Sequence, residues 1–170
     1  MRAMVETIDA PAGSEISRRL DGAFYHDSYR IAIPPSDASA LELYLRVARQ
    51  TPGWVNWLMD LRNRLVGLVG LKNLGALNGA SARKPASDYR VGDRVGIFDV
   101  RYLTPDEVIL GDTDKHLKVE VSVCKTDGAL NVSTVVHLHN LLGRLYMVPV
   151  APLHKIIVRS MLRRAGGLNA

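Results

Sequence analysis

The chain has 170 residues, of which 47% are hydrophobic and 23% charged, values typical of one folded globular domain and unlike those of a disordered or fibrous chain. The 22 Lys and Arg against 17 Asp and Glu give a formal net charge of +5, which requires no nucleic-acid partner. The single cysteine, Cys124, excludes an intramolecular disulfide framework and a cysteine-rich zinc site. We therefore expect one cytoplasmic domain over residues 1–170, with an N-terminal tail over 1–20 and no membrane span.

The first half of the chain predicts a strand followed by two helices. Residues 24–33 are rich in aromatic and β-branched side chains and stop at a proline pair, which indicates a strand. Ser36 or Asp37 would cap a first helix, and a second helix would begin near Trp54. The composition then shifts to small and polar residues without an apolar period, which predicts a mobile loop over 76–88 that would gate a site.

The second half predicts antiparallel strands and a long helix. Alternating apolar and polar residues, separated by turn-forming residues, occupy four runs: 91–103, 107–111, 116–125 and 129–139. From 141 to 165 the apolar residues recur at helical spacing, and Pro149 and Pro152 should kink or divide this helix. Because strands and helices do not alternate along the chain, we exclude a parallel sheet and predict an α+β fold with helices on one face of an antiparallel sheet.

One turn fixes the register of the last two predicted strands. Asp127-Gly128 favours a two-residue turn, because both central positions of that turn need a positive φ. With Thr126 paired to Ala129, one face of the hairpin is almost wholly apolar, through the pairs Leu117 with Leu138, Val119 with Val136, Val121 with Thr134 and Val123 with Val132.

The other face of that hairpin brings three of the five histidines together. His116 would lie opposite His139, and His137 opposite Lys118. Such a group would hold a metal or supply acid and base, since neutral imidazole binds zinc and titrates near neutral pH. The alternative is a solvated outer sheet face, where Lys118 would repel a cation and no carboxylate completes a zinc motif. We accordingly predict no metal and no cofactor.

Two further pairs of polar residues are candidate ligand contacts. Asp27 and Tyr29 alternate along the first strand, and Asp99 and Arg101 along the second. Each pair would point into a ligand cavity, or would form ordinary cross-strand ion pairs and hydrogen bonds.

Five motifs carry a family resemblance over most of the chain. They are G-D-R-V-G-I-F-D-V-R at 92–101, D-K-H-L at 114–117, V-S-T-V-V-H-L-H-N at 132–140, L-G-R-L-Y-M-V-P-V-A-P-L-H-K-I-I-V at 142–158 and M-L-R-R-A at 161–165, together with D-S-Y at 27–29. With them the chain resembles a bacterial family of uncharacterised domains that occur alone or fused behind short-chain-dehydrogenase-like domains. The resemblance implies the START and polyketide-cyclase (SRPBCC) superfamily, whose helix-grip fold wraps a curved antiparallel sheet around a long C-terminal helix and leaves a cavity between them. It assigns no catalytic residue.

Three functions remain open from the sequence. The preferred expectation is binding of a small hydrophobic molecule in a cavity between sheet and terminal helix, without enzymatic activity. The second is a cofactor-independent cyclase or dehydratase acting on an aromatic or polyketide-like substrate. The third is an interaction or membrane-surface module that uses the basic terminal helix. The oligomeric state is left open.

Overall fold

The computed structural model describes residues 4–67 and 84–166, apart from the side chains of Leu65 and Val66. In these residues a curved, seven-stranded antiparallel sheet is combined with three α-helices, which confirms the predicted α+β class. The strands are β1 Glu6–Thr7, β2 Tyr25–Ala32, β3 Arg94–Val95, β4 Phe98–Leu103, β5 Glu107–Thr113, β6 Leu117–Thr126 and β7 Ala129–Leu138, and the helices are α1 Ala40–Arg49, α2 Gly53–Gly67 and α3 Leu141–Ala165.

The strand order in the sheet is β1-β2-β7-β6-β5-β4-β3. The predicted hairpin register is confirmed: Thr126 pairs with Ala129, and all the predicted apolar pairs are present. Gly128 has a φ of +69°, but Asp127 does not have a positive φ, so the expectation that both central residues of this turn are left-handed is wrong although the register holds. The strand predicted over 24–33 is β2, which pairs with β7 on one side and with the two-residue β1 on the other, so it is the second strand from the edge of the sheet.

The predicted strand over 91–103 is divided in the structure. Residues Gly96 and Ile97 form a tight turn between β3 and β4, in which Val95 pairs with Phe98. Gly96 adopts a φ of +61°, a conformation that other residues rarely take. The alternating pattern continues through this turn, so it gave no sign of the break.

The first helix begins later than predicted. Ser39, rather than Ser36 or Asp37, caps α1, and its hydroxyl accepts a hydrogen bond from the backbone N–H of Glu42 at 3.2 Å. The Ser36 hydroxyl instead accepts from the N–H of Ala38, which stabilises a turn ahead of the helix.

The C-terminal helix, α3, is not divided at its prolines. It runs unbroken from residue 141 to 165 with Pro149 and Pro152 inside it. Each proline removes one hydrogen bond to the carbonyl four residues earlier, that of Leu145 or Val148. All four residues are exposed, so water can satisfy those carbonyls.

One face of the sheet, the inner face, packs against α1 and the C-terminal end of α3. Tyr29 and Ile31 of β2 belong to this core, as do Leu41 of α1 and Leu162 and Ala165 of α3. Burial of such side chains stabilises the fold by about 1.5–3 kcal/mol each.

The opposite, outer face is not the solvated surface that the sequence suggested. The segment predicted as an N-terminal tail carries β1 and a 3-10 helix, Ile16–Arg19, which lies over this face. Ile16 packs against Ile109 and Val135, and Glu120 and Ser122 are buried beneath the same segment. The expectation of a solvated face is therefore wrong at its centre, because a segment distant in sequence covers it.

The predicted mobile loop over 76–88 falls largely outside the described residues. Of its members, 84–88 are described, and they include a short 3-10 helix, Ala86–Asp88. Gly166 follows α3 and caps it, because its backbone N–H donates to the carbonyl of Leu162.

Candidate functional site

A group of polar side chains lies on the inner face of the sheet, under the middle of α3. Alternate residues of a strand share a face, so Tyr25, Asp27 and Tyr29 of β2 all point toward this helix. Asp27 is paired with Thr134 of β7. His154 reaches the same place from α3. We call these five residues the Asp27 cluster.

The carboxylate of Asp27 is the centre of the cluster. Its Oδ2 accepts hydrogen bonds from the hydroxyl of Tyr25 and from that of Tyr29, the latter at 3.2 Å. His154 Nε2 lies 3.5 Å from Oδ1 of Asp27 and 3.0 Å from Oγ1 of Thr134. The side chain of Asp27 is only 7% exposed. A buried carboxylate therefore sits among two phenols and an imidazole.

The cluster fixes the charge of its members. Burial raises the pKa of Asp27, but the neighbouring His154 imidazole and the two tyrosine hydroxyls together outweigh burial and hold it below 3.8. Burial, the hydrogen bond to Asp27 and the charge of Asp27 all raise the pKa of Tyr25. Burial and Asp27 also raise the pKa of Tyr29. At neutral pH the site consequently holds one carboxylate and two protonated phenols.

Two cations of α3 lie over the tyrosine rings. The ammonium of Lys155 is 5.9 Å from the centre of the Tyr25 ring, and the guanidinium of Arg159 is 5.3 Å from the centre of the Tyr29 ring. Arg159 also donates to the hydroxyl of Thr7 at 3.2 Å. These contacts place two positive charges beside the tyrosines that hydrogen-bond Asp27.

An apolar strip adjoins the cluster along the inner face. Val119 and Val121 of β6 share this face with Val132 of β7, and all three are only partly buried. Val121 lies opposite Thr134, the floor of the cluster, and Val119 lies farther from the packed core, whereas Val132 lies on the core side and packs against it. The inner face thus combines partly covered apolar surface with a buried carboxylate.

The structure brings Asp27 and Tyr29 together and separates them from the other predicted candidates. Asp99 and Arg101 lie on β4 toward the far end of the sheet, two residues apart on one strand, and their side chains form a partly exposed ion pair at 3.4 Å. Asp99 also lies 3.8 Å from Arg94. Neither residue points at the Asp27 cluster.

The three predicted histidines each bind a different neighbour. His116 Nδ1 contacts the side-chain amide of Asn140, which itself caps α3 by accepting from the N–H of Gly143. His137 Nε2 lies 2.9 Å from the carbonyl oxygen of Asp21, and His139 Nδ1 lies 3.0 Å from that of Asp114.

Through these contacts each of the three histidines links its own strand or turn to another segment of the chain. Within residues 4–67 and 84–166 no group of three or more His, Cys, Asp and Glu side chains is arranged to hold a metal ion. Cys124 is buried, and burial together with Glu107 and Asp106 raises its pKa to about 11, which leaves it a poor nucleophile.

His154 was not among the predicted site residues, although the sequence of α3 carries a signal for it. Met147, Val158 and Leu162 mark the side of α3 that meets the sheet, and His154 falls on that same helical stripe. A histidine on the buried stripe of an amphipathic helix requires a polar partner on the facing sheet. In the structure these partners are Asp27 of β2 and Thr134 of β7.

Two clefts open near the ends of α3. One of about 170 Å³ lies between the sheet, α1 and the end of α3, and its lining includes Ile31, Leu130, Arg46 and Ala165. The other, of about 420 Å³, lies at the start of α3 beside Phe24, His139 and Arg144. The first of these is an apolar space between sheet and terminal helix, although it is small for a drug-sized ligand.

Comparisons with known proteins define the family but give no activity. A search of curated proteins and a search of solved structures both returned no match. A family model described as "Protein of unknown function (DUF2867)" matches residues 19–161, which include the whole Asp27 cluster. Because this match covers most of the chain, the protein belongs to the DUF2867 family.

Proposed function

We propose that this protein binds a small molecule with an apolar body and a hydrogen-bond donor, held between the inner face of the sheet and α3. The observation that carries the proposal is the position of Asp27, a buried and ionised carboxylate beside the partly covered strip of Val119, Val121 and Val132. Ligand sites typically combine apolar walls with a few placed polar groups.

The hydrogen bonding of Asp27 supports this location. Its Oδ1 is buried, and none of the described residues donates a hydrogen bond to it with good geometry. A buried acceptor without a donor costs roughly 1–3 kcal/mol. A ligand hydroxyl or amine at this oxygen would recover that energy, while the valines would contact the apolar body.

The order of elements supports a helix-grip arrangement of the kind found in the START and polyketide-cyclase superfamily. A strand, two helices, a run of antiparallel strands and a long terminal helix across the inner face follow one another. In such an arrangement the ligand would lie where the Asp27 cluster is found. We place the protein in the cytoplasm, in keeping with its single buried cysteine.

The first experiment asks whether a molecule is bound. Native mass spectrometry of the freshly purified protein, followed by denaturing extraction, should reveal a bound small molecule, or the empty protein should bind the neutral probe Nile red at one saturable site. Val121→Phe should abolish either signal, because the larger ring would fill the apolar strip. His26→Phe adds a ring at an exposed position on the outer face and should leave binding unchanged. Absence of both a bound molecule and saturable probe binding refutes the proposal.

A second candidate function is acid–base catalysis on the bound molecule, as in a cofactor-independent cyclase or dehydratase. The observation that favours it is the pairing of Asp27 with His154, since a carboxylate orients an imidazole for proton transfer. If the protein is an enzyme, His154→Gln should accumulate a bound species of different mass from that extracted from the wild type. If the same species is extracted from both proteins, catalysis by His154 is refuted and binding is the function that remains.

A further inference from the structure

The outward side of α3 carries an apolar surface that the described part of the chain, residues 4–67 and 84–166, leaves exposed. Large hydrophobic side chains along the first two thirds of the helix are exposed, and Val148 is 73% exposed. They fall on one side of the helix, opposite the stripe that contacts the sheet, and comprise Leu141, Leu145, Val148, Leu153 and Ile156, with Pro149 and Pro152 between them. We call this set the outer stripe.

A helix of this composition is normally buried. By length and hydropathy, α3 is the one helix among the described residues that could cross a membrane, yet only 11% of its most apolar window is buried within the fold. The common explanation, that such a helix forms the core of a soluble protein, therefore does not apply. A helix that is apolar on nearly all sides requires cover from something else.

The charges on the helix indicate what that cover is. Residues 141–166 contain five Lys and Arg and no Asp or Glu, namely Arg144, Lys155, Arg159, Arg163 and Arg164. All five are exposed. Arg144, Lys155 and Arg159 also lie over aromatic rings of the fold, whereas Arg163 and Arg164 follow the outer stripe in the last turn of the helix. Exposed apolar side chains together with cations and no anions are typical of helices that lie in the interface of an anionic membrane.

The same helix is fixed to the fold along its other side. Met147, Leu162 and Ala165 are buried, and His154 contacts Thr134 and Asp27. Crossing a bilayer would break these contacts and would place five cations in or near hydrocarbon. We propose that the outer stripe and the cations of α3 dock this domain on the surface of an anionic phospholipid bilayer, with the helix lying parallel to the membrane plane.

Co-sedimentation of the full chain with vesicles tests this proposal. The wild type should bind vesicles of phosphatidylcholine and phosphatidylglycerol, should bind pure phosphatidylcholine far more weakly, and should be released by high salt. Val148→Glu with Ile156→Glu should abolish binding, because both residues are exposed and face the lipid. His26→Glu with Thr113→Glu makes the same charge change at exposed positions of the sheet and should retain most binding.

A second variant keeps the test independent of any folding defect. Arg163→Gln with Arg164→Gln removes two exposed cations for which no contact within the fold is described, and should weaken partitioning by about 30-fold. The proposal is overturned if the wild type ignores anionic vesicles, or if it binds neutral vesicles equally well. It is also overturned if light scattering shows a dimer that Val148→Glu with Ile156→Glu converts to a monomer, since a second copy would then cover the stripe.

Discussion

Glu107→Gln tests whether one buried carboxylate holds the N-terminal segment on the outer face of the sheet. Oε2 of Glu107 accepts a hydrogen bond from the N–H of Glu15 at 2.7 Å, and Oε1 accepts from the N–H of Ile16 at 3.1 Å and from the hydroxyl of Ser122 at 2.8 Å. The first two donors begin the 3-10 helix Ile16–Arg19, so the carboxylate caps it across the sheet.

The expected cost follows from these three hydrogen bonds. Glutamine keeps one acceptor oxygen, but its amide group replaces the other and faces the N–H of Glu15, so that two donors oppose each other. Loss of one charge-assisted hydrogen bond costs about 1.5–3 kcal/mol, and loss of the charge weakens the remaining two. We expect the free energy of opening of this segment to fall by at least about 2 kcal/mol, which corresponds to roughly a 30-fold rise in the open population.

Limited trypsin digestion measures that population, because Arg18 and Arg19 lie in the segment and Arg18 is already 75% exposed. Glu107→Gln should be cut at these residues roughly 30 times faster than the wild type. Asp106→Asn is the matched control, since that side chain is 74% exposed and its ion pair with Lys125 is long at 3.8 Å. Equal cleavage rates in Glu107→Gln and the wild type would refute the capping role.

Three further predictions concern single residues. Gly143→Ala should lower the free energy of unfolding by about 1–3 kcal/mol in urea titrations, because an added Cβ would lie 2.5 Å from the backbone carbonyl oxygen of His116, whereas Gly53→Ala meets nothing and should be neutral or stabilising. Asp27→Asn should have a lower free energy of unfolding than the wild type at neutral pH. Since the folded-state pKa of Asp27 lies below 3.8, this difference in stability should persist down to about that pH and shrink below it. A stability difference that does not change with pH would contradict an ionised Asp27 in the folded protein. Cys124 should react with iodoacetamide very slowly in the native protein and rapidly in denaturant, because its pKa is about 11 and it is buried, and fast native alkylation would exclude this environment.

Features set by local chemistry were predictable from the sequence. The Asp127-Gly128 turn determines which residues face each other along the whole of β6 and β7, since the side-chain period of a strand is two. The bounds of α3 were also predicted correctly, because its apolar spacing is continuous from 141 to 165. In both cases the determining residues lie within one element or one turn.

Features set by distant contacts were not predictable in the same way. Ser122 is buried because its hydroxyl donates to Glu107 and because the segment around Glu15, which is 92 residues before Glu107 in the chain, covers both side chains. Polar residues on one side of a strand usually indicate solvent, and only the tertiary structure reveals that Ile16 covers them. The pairing of His154 with Asp27, across 127 residues, is of the same kind, since no short-range pattern selects one partner among several carboxylates.

The two proposals for α3 can fail independently, because they depend on opposite sides of the helix. The ligand proposal rests on His154, Asp27 and Val121, which lie between helix and sheet. The membrane proposal rests on the outer stripe, whose members Val148 and Ile156 are exposed. A substitution at an exposed position of this stripe removes no contact with the sheet, so loss of vesicle binding with retained ligand binding would assign lipid contact to the outer side alone. Loss of both vesicle binding and ligand binding in Val148→Glu with Ile156→Glu would instead show that the two sides of α3 are coupled. The packing of α3 on the sheet would then depend on the apolar side chains of the outer stripe.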